Sequence, residues 1–195
     1  MTNPLQLIRD DQQKAQKLGD PNSDLCFLAL SDTDTPSVRT LVLRDVSTKG
    51  LTLFVNKSSP KWNTIKSNNK AEILLWYAST QTQFRINGTI EELPHSLIEQ
   101  NWEKRPVDSK YLDYAYQSLG AQSSEIDSKE ELSDHIIRLK TKHSENTLTK
   151  PTAAVSVMLR PKIIEKLDLN SNSPLHDRTR FSHVNGQWII THLIP

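Results

Sequence analysis

Hydrophobic and polar positions alternate with a period of two over much of the first half of the chain. The runs LCFLAL, SVRTLVLRDV, LTLFVN, AEILLWYA and TQFRINGTIEEL, all between residues 24 and 92, are short, rich in β-branched and aromatic residues, and separated by polar turns such as SDTDTPS and DVSTKG. They predict strands, and their close spacing leaves no room for helical crossovers, so the strands should be mainly antiparallel. Ahead of them, Leu5, Leu7, Ile8 and Leu18 among charged residues predict a short amphipathic helix over residues 4–18. One helix interrupts the strands: Ser59, Pro60 and Lys61 read as an N-cap and a proline at the first helical position, followed by WNTIKSNN. Residues 95–143 turn helical. HSLIEQNWEKR stops before Pro106, and SKEELSDHIIRLKTKH opens on a capping box of Ser128 and Glu131. Three strand-like runs follow, AAVSVMLRP, KIIEKLDL and RTRFSHVNGQWIITHL, the last folding back over a Val-Asn-Gly-Gln turn. The order β, α, β predicts one α+β domain over residues 1–195, with a barrel core from about 24–92 and 152–195 and a helical segment over about 95–143.

Composition narrows the class. With 195 residues, 35% hydrophobic and 24% charged, the chain suits one globular domain with a moderate core. No run approaches the roughly 20 apolar residues of a membrane helix, and the polar start MTNPLQLIRDDQQKAQ lacks the apolar stretch of a signal peptide, so the expected location is the cytoplasm, away from membranes. The single cysteine, Cys26, lies in an alternating apolar run and reads as a buried thiol. Lys and Arg number 24 against 23 Asp and Glu, so no overall field favours nucleic acid. A bound anion must be held by local geometry, which points to a small phosphate-bearing ligand.

Three places carry candidate chemistry. Ser58, Ser59 and Lys61 put hydroxyls, backbone N–H groups and an ammonium at a helix start, where the dipole favours an anion, although the same residues also serve as ordinary capping. Arg39 and Arg44 flank TLVL at a spacing of five, so alternation puts them on opposite faces, one of which could look inward; both also read as surface arginines. In an extended strand His176 and Arg178 share a face while Asp177 points away, an arrangement that could meet a ligand or be a satisfied histidine beside a surface arginine. Metal chemistry is not expected, because the six histidines are scattered and there is one cysteine. No Gly-x-Gly-x-x-Gly or P-loop is present.

Taken in order, Arg39-Thr-Leu-Val-Leu-Arg44, Leu53-Phe-Val-Asn56, Ser59-Pro-Lys61, Leu75-Trp76, Gln83-Phe-Arg-Ile-Asn-Gly88, Arg105-Pro-Val-Asp-Ser109, Gln122-Ser-Ser124 and Leu175-His-Asp-Arg178 resemble the pyridoxamine 5'-phosphate oxidase family, from about Ser37 to Pro195. The resemblance implies a split β-barrel, a mainly antiparallel Greek-key barrel with peripheral helices, forming a homodimer with FMN at the subunit interface. Carried over by position, it implies that Arg39 and Lys61 hold the FMN phosphate, with Ser59 helping at the helix start. Thr40, Leu41, Val42, Phe54 and Val55 would line the flavin, Gln83 would hydrogen-bond its ring, Gln122 and Ser123 would come from the facing subunit, and Arg178 would lie close to the ring. It places Arg44, Asn101, Arg105 and Ser109 where the family grips the substrate phosphate with a lysine, a tyrosine, an arginine and a serine, and assigns His176 to substrate binding and, with Arg178, to catalysis. Pro174 stands where the family has an arginine over the substrate, Leu167 replaces a flavin-site tryptophan, and Pro60 replaces an arginine beside the phosphate lysine. The implied activity is FMN-dependent oxidation of a small molecule, with or without a phosphate; an FMN-dependent reductase and a non-catalytic FMN- or pyridoxal-phosphate-binding protein are the alternatives.

Overall fold

The computed structural model describes residues 3–32, 35–94, 96–103, 105–170 and 176–195, apart from the side chains at 96, 97, 100 and 101. Among the described residues, five α-helices and nine strands follow in chain order, with a short 3-10 turn at Glu145–Thr147: α1 Pro4–Lys17, β1 Leu25–Ser31, β2 Pro36–Val42, β3 Asp45–Ser47, β4 Gly50–Asn56, α2 Pro60–Ser67, β5 Lys70–Tyr77, β6 Thr82–Glu92, α3 Ser96–Glu103, α4 Val107–Ser118, α5 Lys129–Lys142, β7 Ala154–Asp168, β8 Asp177–Val184 and β9 Gln187–Leu193. The class is α+β. The sheet runs β2-β1-β5-β6-β7-β4-β3, with β8 on β7 and β9 on β8. Among the described residues, no helix is long and apolar enough to cross a membrane.

The chain divides into two compact units. One, the sheet unit, comprises residues 1–53, 64–91 and 157–195; the other, the helical unit, comprises 54–63 and 92–156.

In the sheet unit, alternation becomes burial directly. Cys26, Leu28 and Leu30 of β1, Ala71, Ile73, Leu75 and Tyr77 of β5, and Phe84, Ile86 and Ile90 of β6 all point to one buried face. Antiparallel register sets Leu28 beside Ile73, and Ile73 beside Ile86, so one apolar row crosses three strands. Each of these fully buried side chains contributes roughly 1.5–3 kcal/mol. Gly88 is forced by packing: a Cβ there would lie 2.0 Å from the Arg160 carbonyl oxygen. Helix α1 is capped by Asn3, whose side chain accepts from the Leu5 N–H. It is tied to the sheet by Arg9, whose Nε donates to the Val46 carbonyl, and by a 2.7 Å Lys166–Asp11 ion pair. Leu5 and Ile8 are buried as the spacing predicts, but Leu18 is the exposed C-cap.

Two strand boundaries differ from the sequence reading. The run SVRTLVLRDV breaks after Val42, because β2 pairs with β1 while β3 pairs with β4. The chain changes partner at Leu43 and Arg44, whose N–H groups donate to Asp24 and Thr52 carbonyls. AAVSVMLRP and KIIEKLDL, in contrast, form one 15-residue strand, β7, which continues through Pro161. The final hairpin closes as expected: Val184 pairs with Gln187, and Asn185 and Gly186 both have positive φ, as a two-residue type I′ turn requires.

In the helical unit, Trp102, Tyr111, Ala115, Leu139 and Leu148 form a small core, with Val107, Tyr114, Leu132 and Ile136 packed on it. Trp102 Nε1 donates to the Leu148 carbonyl and the Tyr111 hydroxyl to that of His143, so both amphipathic rings are satisfied. The Ser128 half of the capping box forms, its Oγ accepting from the Glu131 N–H at 3.0 Å, while the Glu131 carboxylate accepts from the N–H of Asp127, one residue before the cap.

Candidate flavin site

In the sheet unit, Arg39 lies on the edge strand β2. Its Nη2 donates to Ser37 Oγ at 2.6 Å, two residues back on the same face, while its Nη1 is buried with no hydrogen-bond partner among the described residues. Partial burial pulls its pKa down. A buried donor left unmet costs about 1–3 kcal/mol, so this position calls for an acceptor from outside the chain. Leu41 is half-buried like Arg39, whereas Thr40 and Val42 alternate to the exposed side. Gln83, on β6 opposite Trp76 of β5, is half-buried. Arg44 lies between β2 and β3, so its spacing from Arg39 does not run along one strand.

At the other end of the sheet, Arg178 and Arg180 of β8 both donate to Glu165 of β7, at 2.9 and 2.7 Å, and Arg85 Nη1 of β6 is 3.6 Å from the same carboxylate. Burial works to raise the Glu165 pKa, but the hydrogen bonds and charges of Arg178 and Arg180 outweigh it and hold the carboxyl below its usual range. His176 is exposed and precedes β8, so strand alternation does not set it on the Arg178 face as the sequence reading expected.

In the helical unit, Phe54 is half-buried and Val55 buried. Beyond them the chain makes a polar loop into α2. Asn56 Oδ1 accepts from both the N–H and the hydroxyl of Ser58, at 2.8 Å each, and Ser59, fully buried, donates its hydroxyl to the Asn56 carbonyl at 2.6 Å. Lys61 Nζ donates to Gln122 Oε1 at 3.0 Å, and the Gln122 N–H donates to Ser58 Oγ. Within the chain, then, Gln122 meets Lys61 and Ser58. Ser123, beside it, is exposed and has φ +74°. Burial raises the Tyr116 pKa, with Asp113 adding to the effect and Arg105 and a hydrogen bond to Gln122 opposing it. Tyr116, Leu119, Ser123 and Leu132 line an open cavity of about 130 Å³.

On the substrate side, Arg105 is engaged by Asp113, which is only 4% exposed. Arg105 Nη2 donates to Oδ1 at 3.1 Å, and Nε lies 2.8 Å from Oδ2 without hydrogen-bond alignment, an ionic contact. Ser109 is half-buried on α4. The Asn101 side chain, Pro174 and Leu175 lie outside the described residues.

Sequence reasoning passed over Glu165, Asp113 and Tyr116. Glu165 had no signal beyond its place in an alternating run. Asp113 had a weak one, a carboxylate between Tyr111 and Ala115 on a helix whose neighbours are apolar.

These residues fit FMN. A phosphate needs charged donors, and in each unit separately there is a group of that chemistry: Arg39 Nη1 in the sheet unit, with no hydrogen-bond partner among the described residues, and the Lys61 ammonium at a helix start in the helical unit.

Comparison with known proteins agrees. The family model described as pyridoxamine 5'-phosphate oxidase, FMN-binding domain, matches residues 6–93. A pyridoxine/pyridoxamine 5'-phosphate oxidase of Nostoc punctiforme is 30% identical over 190 residues, covering 95% of this chain and 84% of that protein. One of Pelagibacter ubique is 29% identical over 188 residues, covering 95% and 87%. Among solved structures, PhzG from Burkholderia lata, in complex with tetrahydrophenazine-1-carboxylic acid, superposes with a TM-score of 0.86 at 24% identity, covering 100% of this chain and 94% of that one. A pyridoxamine 5'-phosphate oxidase-related, FMN-binding protein of Nostoc punctiforme gives 0.80 at 15% identity over 100% of both chains. With its split-barrel fold and FMN as cofactor, the chain belongs to the pyridoxamine 5'-phosphate oxidase family.

Proposed function

We propose that this protein is an FMN-dependent oxidoreductase of a small molecule, working as an oxidase of the pyridoxamine 5'-phosphate type in a homodimer. The observation that carries the reading is the half-buried Arg39, whose Nη1 is buried and has no acceptor among the described residues. FMN, when bound, would take a hydride from the C–H bond beside the substrate's amine or alcohol, whose N–H or O–H gives up the second proton, and dioxygen would accept the two electrons and two protons to leave as hydrogen peroxide. Arg39 and Lys61 contribute charge to the phosphate, and Ser59 keeps the loop ahead of α2 closed through Asn56. Thr40, Leu41, Val42, Phe54 and Val55 line the ring, Gln83 hydrogen-bonds it, and Gln122 and Ser123 complete the cofactor side. Arg178 sets a fixed positive charge at the ring edge that becomes negative on reduction. His176 orients the substrate, and Arg44, Asn101, Arg105 and Ser109 form its other contacts. Apolar residues exposed on the edge strands, Val38 on β2 and Ile189 and Ile190 on β9, support the dimer. Incubating FMN-loaded protein with pyridoxamine 5'-phosphate tests the reading: pyridoxal 5'-phosphate and peroxide should appear together, and turnover no faster than with free FMN overturns it.

A second reading, a substrate without phosphate reduced or oxidised by the same flavin, is favoured by the Arg105–Asp113 pair, which neutralises a cation the family uses for phosphate. Anaerobic bleaching of the bound flavin by nicotinamide donors supports a reductase; no bleaching with any donor removes it.

A further inference from the structure

We infer that Glu165 is a positioning residue that sets how much positive charge Arg178 presents to the flavin, and so tunes the reduction potential of the cofactor. The inference rests on the proposed place of Arg178 at the ring edge.

The geometry follows from strand pairing. Glu165 of β7 stands directly opposite Arg180 of β8, and Arg178 is two residues along, so period-two alternation sends all three side chains to one face. Glu165 therefore has a guanidinium on each side, and its oxygens are divided between them: Oε2 accepts from Arg178 and Oε1 from Arg180. Arg85 reaches the same carboxylate from β6 but is itself held 2.7 Å from Glu72 on β5, which leaves it a lesser partner. The Glu165 side chain is 12% exposed against 30% for Arg178 and 41% for Arg180, so the carboxylate is the screened centre of the cluster and the arginines its rim.

An ion pair of this kind has two separable effects. It fixes the direction of the Arg178 guanidinium, and it offsets part of that group's charge. Reduction of FMN by two electrons and one proton leaves one negative charge on the cofactor, so a fully unpaired arginine would favour the reduced form more than a paired one does. Arg180 modulates the offset, because it competes with Arg178 for the same carboxylate. The two variants Glu165→Gln and Arg180→Gln must then act with opposite signs: the first removes the offsetting charge from Arg178, and the second concentrates it there.

The experiment measures the midpoint potential of FMN bound to the full-length protein by equilibration with reference dyes, alongside FMN affinity and thermal stability. In Glu165→Gln the ratio of reduced-form to oxidised-form affinity should rise about tenfold, which for a two-electron couple is ~30 mV upward. In Arg180→Gln the potential should fall. A role confined to holding the sheet together would lower thermal stability in both variants and leave both potentials where they were, which overturns the inference. A potential that falls in Glu165→Gln overturns it too, since the carboxylate would then matter only for aiming Arg178. If Glu165→Gln does not fold, the sign of the Arg180→Gln shift decides, that residue being on the exposed rim. Replacing Arg178 by Gln separates the premise from the inference: if neither FMN affinity nor potential changes in that variant, the assignment of Arg178 to the flavin is what fails.

Discussion

The two units treat their half-buried arginines in opposite ways. In the sheet unit, Arg39 keeps a buried N–H unmet, whereas in the helical unit Arg105 is engaged through two atoms by the nearly inaccessible Asp113. Lys61 likewise already has Gln122, and Gln122 has Ser58. A cation without a partner is a binding group waiting for an anion, and a paired one is closer to neutral structure. On the proposed function, the contrast would separate the cofactor, for which Arg39 keeps an unmet donor, from a substrate phosphate, for which Arg105 already has its own carboxylate.

The largest effect that would probe this contrast lies in the cores. Leu159→Ala, fully buried in the sheet unit, should cost about 2–5 kcal/mol in chemical denaturation, with Leu139→Ala in the thinner helical core near the low end of that range. Next comes the engaged arginine: Asp113→Ala should destabilise by about 2–3 kcal/mol, below the range for a fully buried pair because the Arg105 side chain is 20% exposed. The same variant should bind pyridoxal 5'-phosphate more tightly while leaving unphosphorylated pyridoxal unchanged, as titration by absorbance reads; equal affinities for the ester before and after would break the contrast. Arg39→Gln should behave in the reverse sense. Apo stability should hold, since an unmet donor is removed, but FMN affinity should drop by about 1.5–3 kcal/mol, and the thermal shift that FMN gives the wild type should shrink with it.

The smallest expected effect is with pH. The folded pKa of Glu165 is below its ordinary value of 4.5, so the ionised carboxylate favours folding; that stability is present above the unfolded pKa and is lost as pH falls through the folded one. Melting temperatures from about pH 6 down to about pH 3 should therefore converge between wild type and Glu165→Gln at the acid end. Cys26, whose thiol burial pushes up to about 12, should stay unreactive to disulfide reagents until the protein unfolds.

What could be read from the chain before its structure depended on how local the deciding interaction was. LCFLAL announces its buried face because alternation is a property of adjacent residues, and Asn185-Gly186 announces its turn because only residues tolerant of positive φ close a two-residue hairpin. The break at Leu43 was hidden because it is made by partners elsewhere, Asp24 and Thr52, and the continuity of β7 was hidden by Pro161, which reads as a strand end when its neighbours are unknown. The candidate site divides the same way. Arg39, Lys61 and Gln122 were legible through motifs. Asp113 lies eight residues from Arg105 and meets it only once α4 is in place, and Glu165 draws its meaning from Arg178 and Arg180 on the next strand, which could not be recognised until the pairing register was known.

The place of β7 in the sheet bears on how the molecule is made. It lies between β6 and β4, yet it is translated some sixty residues after β6 ends and about a hundred after β4. Until that segment leaves the ribosome, two earlier strands each present an open hydrogen-bonding edge, and the backbone at Gly50 and Gly88 awaits the carbonyls of Leu159 and Arg160 that press against it. The keystone is set late, with only β8 and β9 still to follow. A nascent chain stalled within the helical segment should therefore be held by chaperones and be prone to aggregate, while one extended past residue 168 should acquire protease resistance in a single step.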